Sequence, residues 1–205
     1  MAEQGVFTLG HGRSYLPWRT LGLTGLTLVL YLLLGPAPET LVLDREAIAA
    51  GEWWRLITGH WVHGDPQHLL LDTAGLFILS LLFERSPAWI YGTFLVSAML
   101  LLDLMILLWL PWLETYCGLS GLLNALLAGG MLLLWRDSGD RLYLLVLAAA
   151  AGKIAVEIAL DQALFSDTLW APLPEAHAFG LISGALLSTP LLNGRLSRKP
   201  SQFSG

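Results

Sequence analysis

Six ionisable side chains stand inside or at the edges of strongly apolar runs: His68, Asp72, Asp103, Lys153, Glu157 and His177. Such groups are costly to hold among hydrocarbon, and each is a functional candidate with a named partner. Ser120 joins them as a hydroxyl at the start of another apolar run, within Gly118-Leu119-Ser120-Gly121. A serine and a neutral imidazole brought together make a nucleophile and its general base, the chemistry of acyl transfer. Gly118 and Gly121 permit a tight turn and close backbone approach, and the N–H groups at a helix start can face a developing oxyanion. The same string also reads as a serine N-cap between helix-packing glycines.

His177 offers the base. It lies in Ala176-His177-Ala178-Phe179-Gly180-Leu181-Ile182-Ser183-Gly184, where Gly180 and Gly184 form a small-residue stripe that admits a neighbouring helix. One turn above Gly180, His177 points toward that neighbour, although an interfacial imidazole satisfied by water reads the same way. His68 and Asp72 are four apart and share a helix face. Both could aim donors at an oxyanion, Asp72 only as the neutral acid. The alternative is a structural Asp72 paired with a group such as Lys153. Lys153 and Glu157, also four apart, read as an internal ion pair that Asp103 could join across helices, or as part of a proton or solute path. His60 and His63 raise a zinc reading, but there is no H-E-x-x-H motif and no completed tetrahedral set, so neither metal nor cofactor is expected. The single Cys117 excludes an internal disulfide and reads as a buried free thiol beside the serine turn.

These residues need elements to hold them. Of 205 residues, 55% are hydrophobic and 13% charged, with nine Trp and a mean hydropathy of +0.63. A soluble domain carries about a quarter charged residues, so the chain reads as an integral membrane protein. A net charge of −5 without a basic stripe argues against nucleic acid. Apolar segments at 18–35, 67–84, 88–110, 119–135, 141–160 and 175–193 are long enough, or nearly so, to cross a bilayer. The first is read as a span rather than a cleavable signal peptide, since no clear small-residue cleavage site closes it. With the N-terminus inside, cytoplasmic segments hold Arg13, Arg19, Arg85, Arg136, Arg141, Arg195, Arg198 and Lys199. The outer ones hold only Arg45 and Arg55. That asymmetry favours six spans with both termini cytoplasmic. The expected organisation is a cytoplasmic segment 1–17, a membrane domain 18–193 with an outer loop 36–66, and a cytoplasmic tail 194–205. In the outer loop, Glu52-Trp53-Trp54-Arg55-Leu56-Ile57 suits the membrane interface. In this topology His68, Ser120 and His177 all begin their spans from the outer side, at similar depth.

In this order and sidedness the motifs resemble the rhomboid family of intramembrane serine proteases, over roughly 50–192. The carriers are Glu52-Trp53-Trp54-Arg55 with Thr58 and His63, then His68-Leu69-Leu70-Leu71-Asp72, then Gly118-Leu119-Ser120-Gly121, then Ala176-His177 with Gly180 and Gly184. The resemblance implies an all-α, six-helix membrane bundle and a Ser120–His177 dyad without an acidic third member. It also implies an oxyanion site served by His68, the Ser120 N–H and the position of Asp72, and a loop organised by Glu52 and Arg55. Asp72 departs from the family, which usually has Asn there; Asn124, one turn after Ser120, is a possible substitute amide. The E-W-W-R-L-x-T-G-H opening and short tails are most similar to the rhombosortase branch. That implies a bacterial inner-membrane enzyme acting on single-pass substrates whose C-terminus carries Gly-Gly, an apolar helix and a basic end. Two other classes stay open: a catalytically impaired rhomboid-like protein that binds membrane clients, supported by Asp72, and a small transporter, supported by Asp103, Lys153 and Glu157.

Overall fold

Each expected apolar segment folds as one long helix. The computed structural model describes residues 16–160, 162, 164 and 173–193; segments 1–15 and 194–205 lie outside the described residues. The long helices are α1 (Trp18–Leu34), α4 (Pro66–Phe83), α5 (Ala88–Trp109), α6 (Ser120–Ser138), α7 (Leu142–Leu160) and α8 (Pro174–Asn193). The fold is all-α and polytopic. Helices α4, α5 and α7 are long and apolar enough to cross a membrane, and α1 is a shorter apolar helix. Glycines and hydroxyls dilute the apolar character of α6 and α8, and those same residues do the packing.

The bundle has an apolar core, into which small and hydroxyl residues also turn, and many of its leucines and tryptophans are exposed on the outside. Helix α1 buries Thr20, Thr24 and Thr27, while Leu32 and Leu33 are 81% and 76% exposed. Thr24 and Thr27 return their hydroxyls to backbone carbonyls one turn back, and Thr27 also meets Thr73 of α4 at 3.2 Å. This is the packing of helices in lipid, where small and hydroxyl residues bring backbones together and leucines face the solvent. Helix α6 runs through the centre, burying Leu122, Ala125, Leu126, Ala128, Gly129, Gly130 and Leu133. Phe83, Tyr91 and Phe94 stack beside it with ring centroids 5.4 and 5.5 Å apart. The one buried hydroxyl in that stack, Tyr91, bonds Ser80 at 2.7 Å.

Helix α8 fits α6 through its glycines. A Cβ on Gly180 would collide with the Gly121 carbonyl, and one on Gly184 with the Ala125 carbonyl. The small-residue stripe read from the sequence is therefore the α6–α8 contact.

Both ends of the bundle are tied by charged caps. Glu84 accepts from the Arg19 N–H, the Thr20 N–H and the Thr20 hydroxyl at 3.0, 2.8 and 2.8 Å, closing the open N-terminus of α1. At the other end Arg45 donates to the carbonyls of Leu107, Leu110 and Leu113, closing the C-terminus of α5. Exposed indoles mark the same two levels. Trp18 precedes the capped Arg19 and Trp89 follows Ser86 at the start of α5, while Trp109 and Trp112 flank the α5 carbonyl end that Arg45 closes; these four and the loop residues Trp53 and Trp54 are exposed. Two such belts are the signature of the two interfaces of a bilayer.

The loop expected at 36–66 is built rather than slack. It contains strand β1 (Leu43–Asp44), helices α2 (Arg45–Ala49) and α3 (Arg55–Thr58), and a 3-10 turn at Gly59–Trp61. Strand β1 pairs antiparallel with β2 (Thr115–Tyr116), which leads into α6. The loop is thereby fastened to the residues just before Ser120.

Candidate active site

The serine turn is fixed from below by backbone bonds. Gly118 has φ +111° and donates its N–H to the Gly59 carbonyl at 3.0 Å. A Cβ at Gly118 would also run into the His68 ring, so conformation and space both demand glycine here. Leu119 donates its N–H to Asp72 Oδ2 at 2.7 Å. Ser120 then opens α6, half-buried. Tyr116, buried, holds the turn from the side: its hydroxyl donates to the Gly118 carbonyl at 3.3 Å and would lie 3.1 Å from a Cβ built on Gly121. Burial pushes this phenol well above its ordinary pKa, so it acts as a neutral hydrogen-bonding group. Cys117, beside it, is pushed up to about 12 by burial and stays a thiol at neutral pH.

Helix α4 brings its two predicted residues to this turn. Asp65 caps the helix by accepting the His68 N–H at 2.8 Å, and Pro66 follows at the first helical position. His68 and Asp72 share a face, with His68 Nε2 3.3 Å from Asp72 Oδ2. His63, wholly buried, reaches the same oxygen from the loop at 3.2 Å, its ring edge-on to that of His68. Asp72 Oδ2 is thus the meeting point of two imidazoles and one backbone amide. Its partners are His63, His68 and Leu119, where the sequence offered Lys153 as the structural alternative.

Helix α8 brings the third. A Cβ on Gly121 would lie 3.2 Å from the Ala176 carbonyl, so the Ser120–Gly121 turn rests on the Ala176–His177 turn. His177 is half-buried, with Nδ1 3.7 Å from Glu157 Oε2 on α7. Glu157 also receives Lys153 Nζ at 2.7 Å on both oxygens, which is the ion pair their spacing predicts. Asp103 does not join it. Asp103 bonds His60 Nε2 at 2.9 Å, on the far side of Tyr116, because α5 faces the loop rather than α7 at that level. Asn124 turns its amide back to the Ser120 carbonyl at 2.9 Å.

The outer loop hangs on Arg55. Its guanidinium pairs with Glu52 at 2.6 Å and donates to the carbonyls of Glu39 and Val42 at 2.5 and 2.9 Å. The cation is buried while its neighbours Trp53 and Trp54 are exposed. Among the described residues no group of three His, Cys, Asp or Glu side chains is arranged to hold a metal ion.

Tyr116 is absent from the sequence reading, and His60, Asp103 and Glu157 are named there without the partners on other elements that the fold gives them. Tyr116 carried no signal beyond being aromatic. The bonds of His60 to Asp103 and of Glu157 toward His177 join residues on different elements, so no spacing within one helix could reveal them.

The structure thus brings together a helix-opening serine between glycines, a histidine on a glycine-seated helix and a loop tied by an arginine. A family model for the Rhomboid domain matches residues 50–194, and the chain belongs to the rhomboid family. No curated protein matches the chain.

Proposed function

We propose that this rhomboid is an active intramembrane serine endopeptidase with Ser120 as nucleophile and His177 as general base. The observation that carries the reading is the fit of Gly180 on the Gly121 carbonyl, which sets the His177 turn against the Ser120 turn. In the reaction, His177 takes the Ser120 proton as Oγ attacks a substrate carbonyl and returns it to the leaving amine. Water, activated by the same imidazole, then releases the acyl group. The Gly118 N–H is bonded to Gly59 and the Leu119 N–H to Asp72. In this reading the N–H groups at the open start of α6, that of Ser120 first, meet the oxyanion, with the His68 ring at the edge of the same turn.

Asp72 has a role compatible with activity. Its carboxylate oxygen accepts from Leu119 and faces two imidazoles, so its charge is directed into the protein and not at the substrate. In this reading Gly118, Gly121, Asp72 and His63 shape the turn, Glu52 and Arg55 hold the loop, and Gly180 and Gly184 seat α8. Asn124 braces the first turn of α6 from within. The helices cross six times with both termini cytoplasmic, in a bacterial inner membrane, and the site opens near the outer face. The substrate is a single-pass protein of the rhombosortase type. A Gly-Gly step ahead of its apolar helix breaks the helix and offers extended backbone to Ser120, and the basic end stays at the inner face. Co-expression with such a substrate tests the reading: Ser120→Ala and His177→Ala should each abolish release, and release that persists in either variant overturns the dyad.

A further inference from the structure

Glu157 pairs with Lys153 on its own helix and also faces a second one. Its side chain is 1% exposed, it sits within the α7–α8 contact, and one of its oxygens is directed at a second helix. Lys153 reaches both oxygens and the Leu164 N–H reaches Oε1 at 2.9 Å, which leaves Oε2 with lone-pair capacity on the side of His177. His177 Nδ1 is buried, has no hydrogen-bond partner among the described residues, and lies 3.7 Å from that oxygen. This separation is within ion-pair range and longer than a hydrogen bond. Resting contacts between catalytic groups are commonly long and close only in the substrate complex.

We infer that Glu157 is the positioning residue of the His177 base, so that the site works as Ser120–His177–Glu157 with the acid supplied by α7. The inference rests on the Ser120–His177 reading above and goes beyond its two-residue form. A carboxylate at Nδ1 keeps the proton on that nitrogen and leaves Nε2 free to accept from Ser120. When the imidazole takes the serine proton, the adjacent charge stabilises the imidazolium. No proton moves to Glu157; the proton taken at Nε2 passes to the leaving amine. Lys153 holds Glu157 in place, and its own charge opposes the imidazolium that Glu157 favours. Among the described residues Glu157 is the acidic side chain in ion-pair range of His177.

Two measurements on the full-length protein in detergent micelles test this. The first is the imidazole nitrogen-15 spectrum, with the His177 signals identified by their loss in His177→Ala. The expected result is an Nδ1–H tautomer whose proton signal moves in Glu157→Gln. The second is steady-state cleavage. Glu157→Gln should lower kcat by on the order of tenfold to a hundredfold with KM unchanged within about threefold, and Glu157→Asp, which keeps the charge, should recover part of the loss. An Nε2–H tautomer in the wild-type protein overturns the inference even if Glu157→Gln fails to fold. So does an unchanged kcat in a folded Glu157→Gln. In both cases a dead Ser120→Ala leaves the two-residue reading standing, whereas cleavage by Ser120→Ala overturns that reading and the inference with it.

Discussion

Asp72 on α4 accepts the N–H of Leu119 at 2.7 Å, the residue immediately before the candidate nucleophile. One carboxylate oxygen therefore sets the height at which Ser120 enters α6, and it does so with His63 and His68 on its other sides. The position where the family usually has an amide is filled by a group that can only accept when ionised, and here acceptors are what the neighbours need.

Removing that acceptor should release the turn. Asp72→Ala leaves a buried N–H unpaired, at a cost of about 1–3 kcal/mol, and should slow the reaction of Ser120 with a fluorophosphonate. Asp72→Asn keeps an oxygen for Leu119 and should lose less on both counts. Thermal unfolding in detergent, run beside the labelling rate, checks the order wild type, Asn, Ala.

The α6–α8 seat should tolerate no added carbon. Gly180→Ala and Gly184→Ala each push a methyl into a backbone carbonyl, so stability should fall by about 1–3 kcal/mol and cleavage should be lost as α8 moves off α6. Gly152, midway along α7, has open space where a Cβ would go. Gly152→Ala should be neutral or stabilise by about 0.5–1 kcal/mol. Unfolding in a denaturing detergent separates the two cases.

Arg55 should not be replaceable by lysine. Its fork reaches Glu52 and two loop carbonyls at once, and an ammonium cannot match that geometry. Arg55→Lys and Arg55→Ala should both loosen the segment 36–61, at about 1.5–3 kcal/mol. Limited proteolysis within this loop should quicken in both variants while cleavage elsewhere is unchanged.

The Glu84 cap should make stability depend on pH. Burial works against its charge, but the Thr20 hydroxyl, the Thr20 and Arg19 N–H groups and the Arg19 guanidinium outweigh it and hold the carboxyl below its ordinary range. A group lowered on folding contributes stability above its unfolded pKa, and that contribution is lost as pH falls through the folded value. Wild-type Tm should therefore drop on acidification from about pH 5 downward. Glu84→Gln should start lower at neutral pH and show a shallower drop.

The helices were legible because each is a long apolar run ended by Pro, Gly or charge, and the observed bounds differ from the expected ones by a few residues. Helix α6 runs on to Ser138 because only Gly139, at φ +74°, can take the left-handed turn that stops it. The candidate site was legible where unusual residues stand in apolar surroundings, as at His68, Ser120 and His177, and the α6–α8 contact where glycines share a helical face, as at Gly180 and Gly184. Contacts between helices that spacing does not encode were not. Asp103 was offered to Lys153 and Glu157 because all three are charges in spans; the fold gives it to His60. Arg45 counted only as one of two basic residues on the outer side, yet it is there to close the carbonyl end of α5.

The most direct test is to treat the purified protein with a fluorophosphonate probe and locate the adduct by mass spectrometry. The expected result is a single adduct on Ser120 that disappears in His177→Ala. An unlabelled wild-type protein, an adduct on another residue, or undiminished labelling in His177→Ala would contradict it.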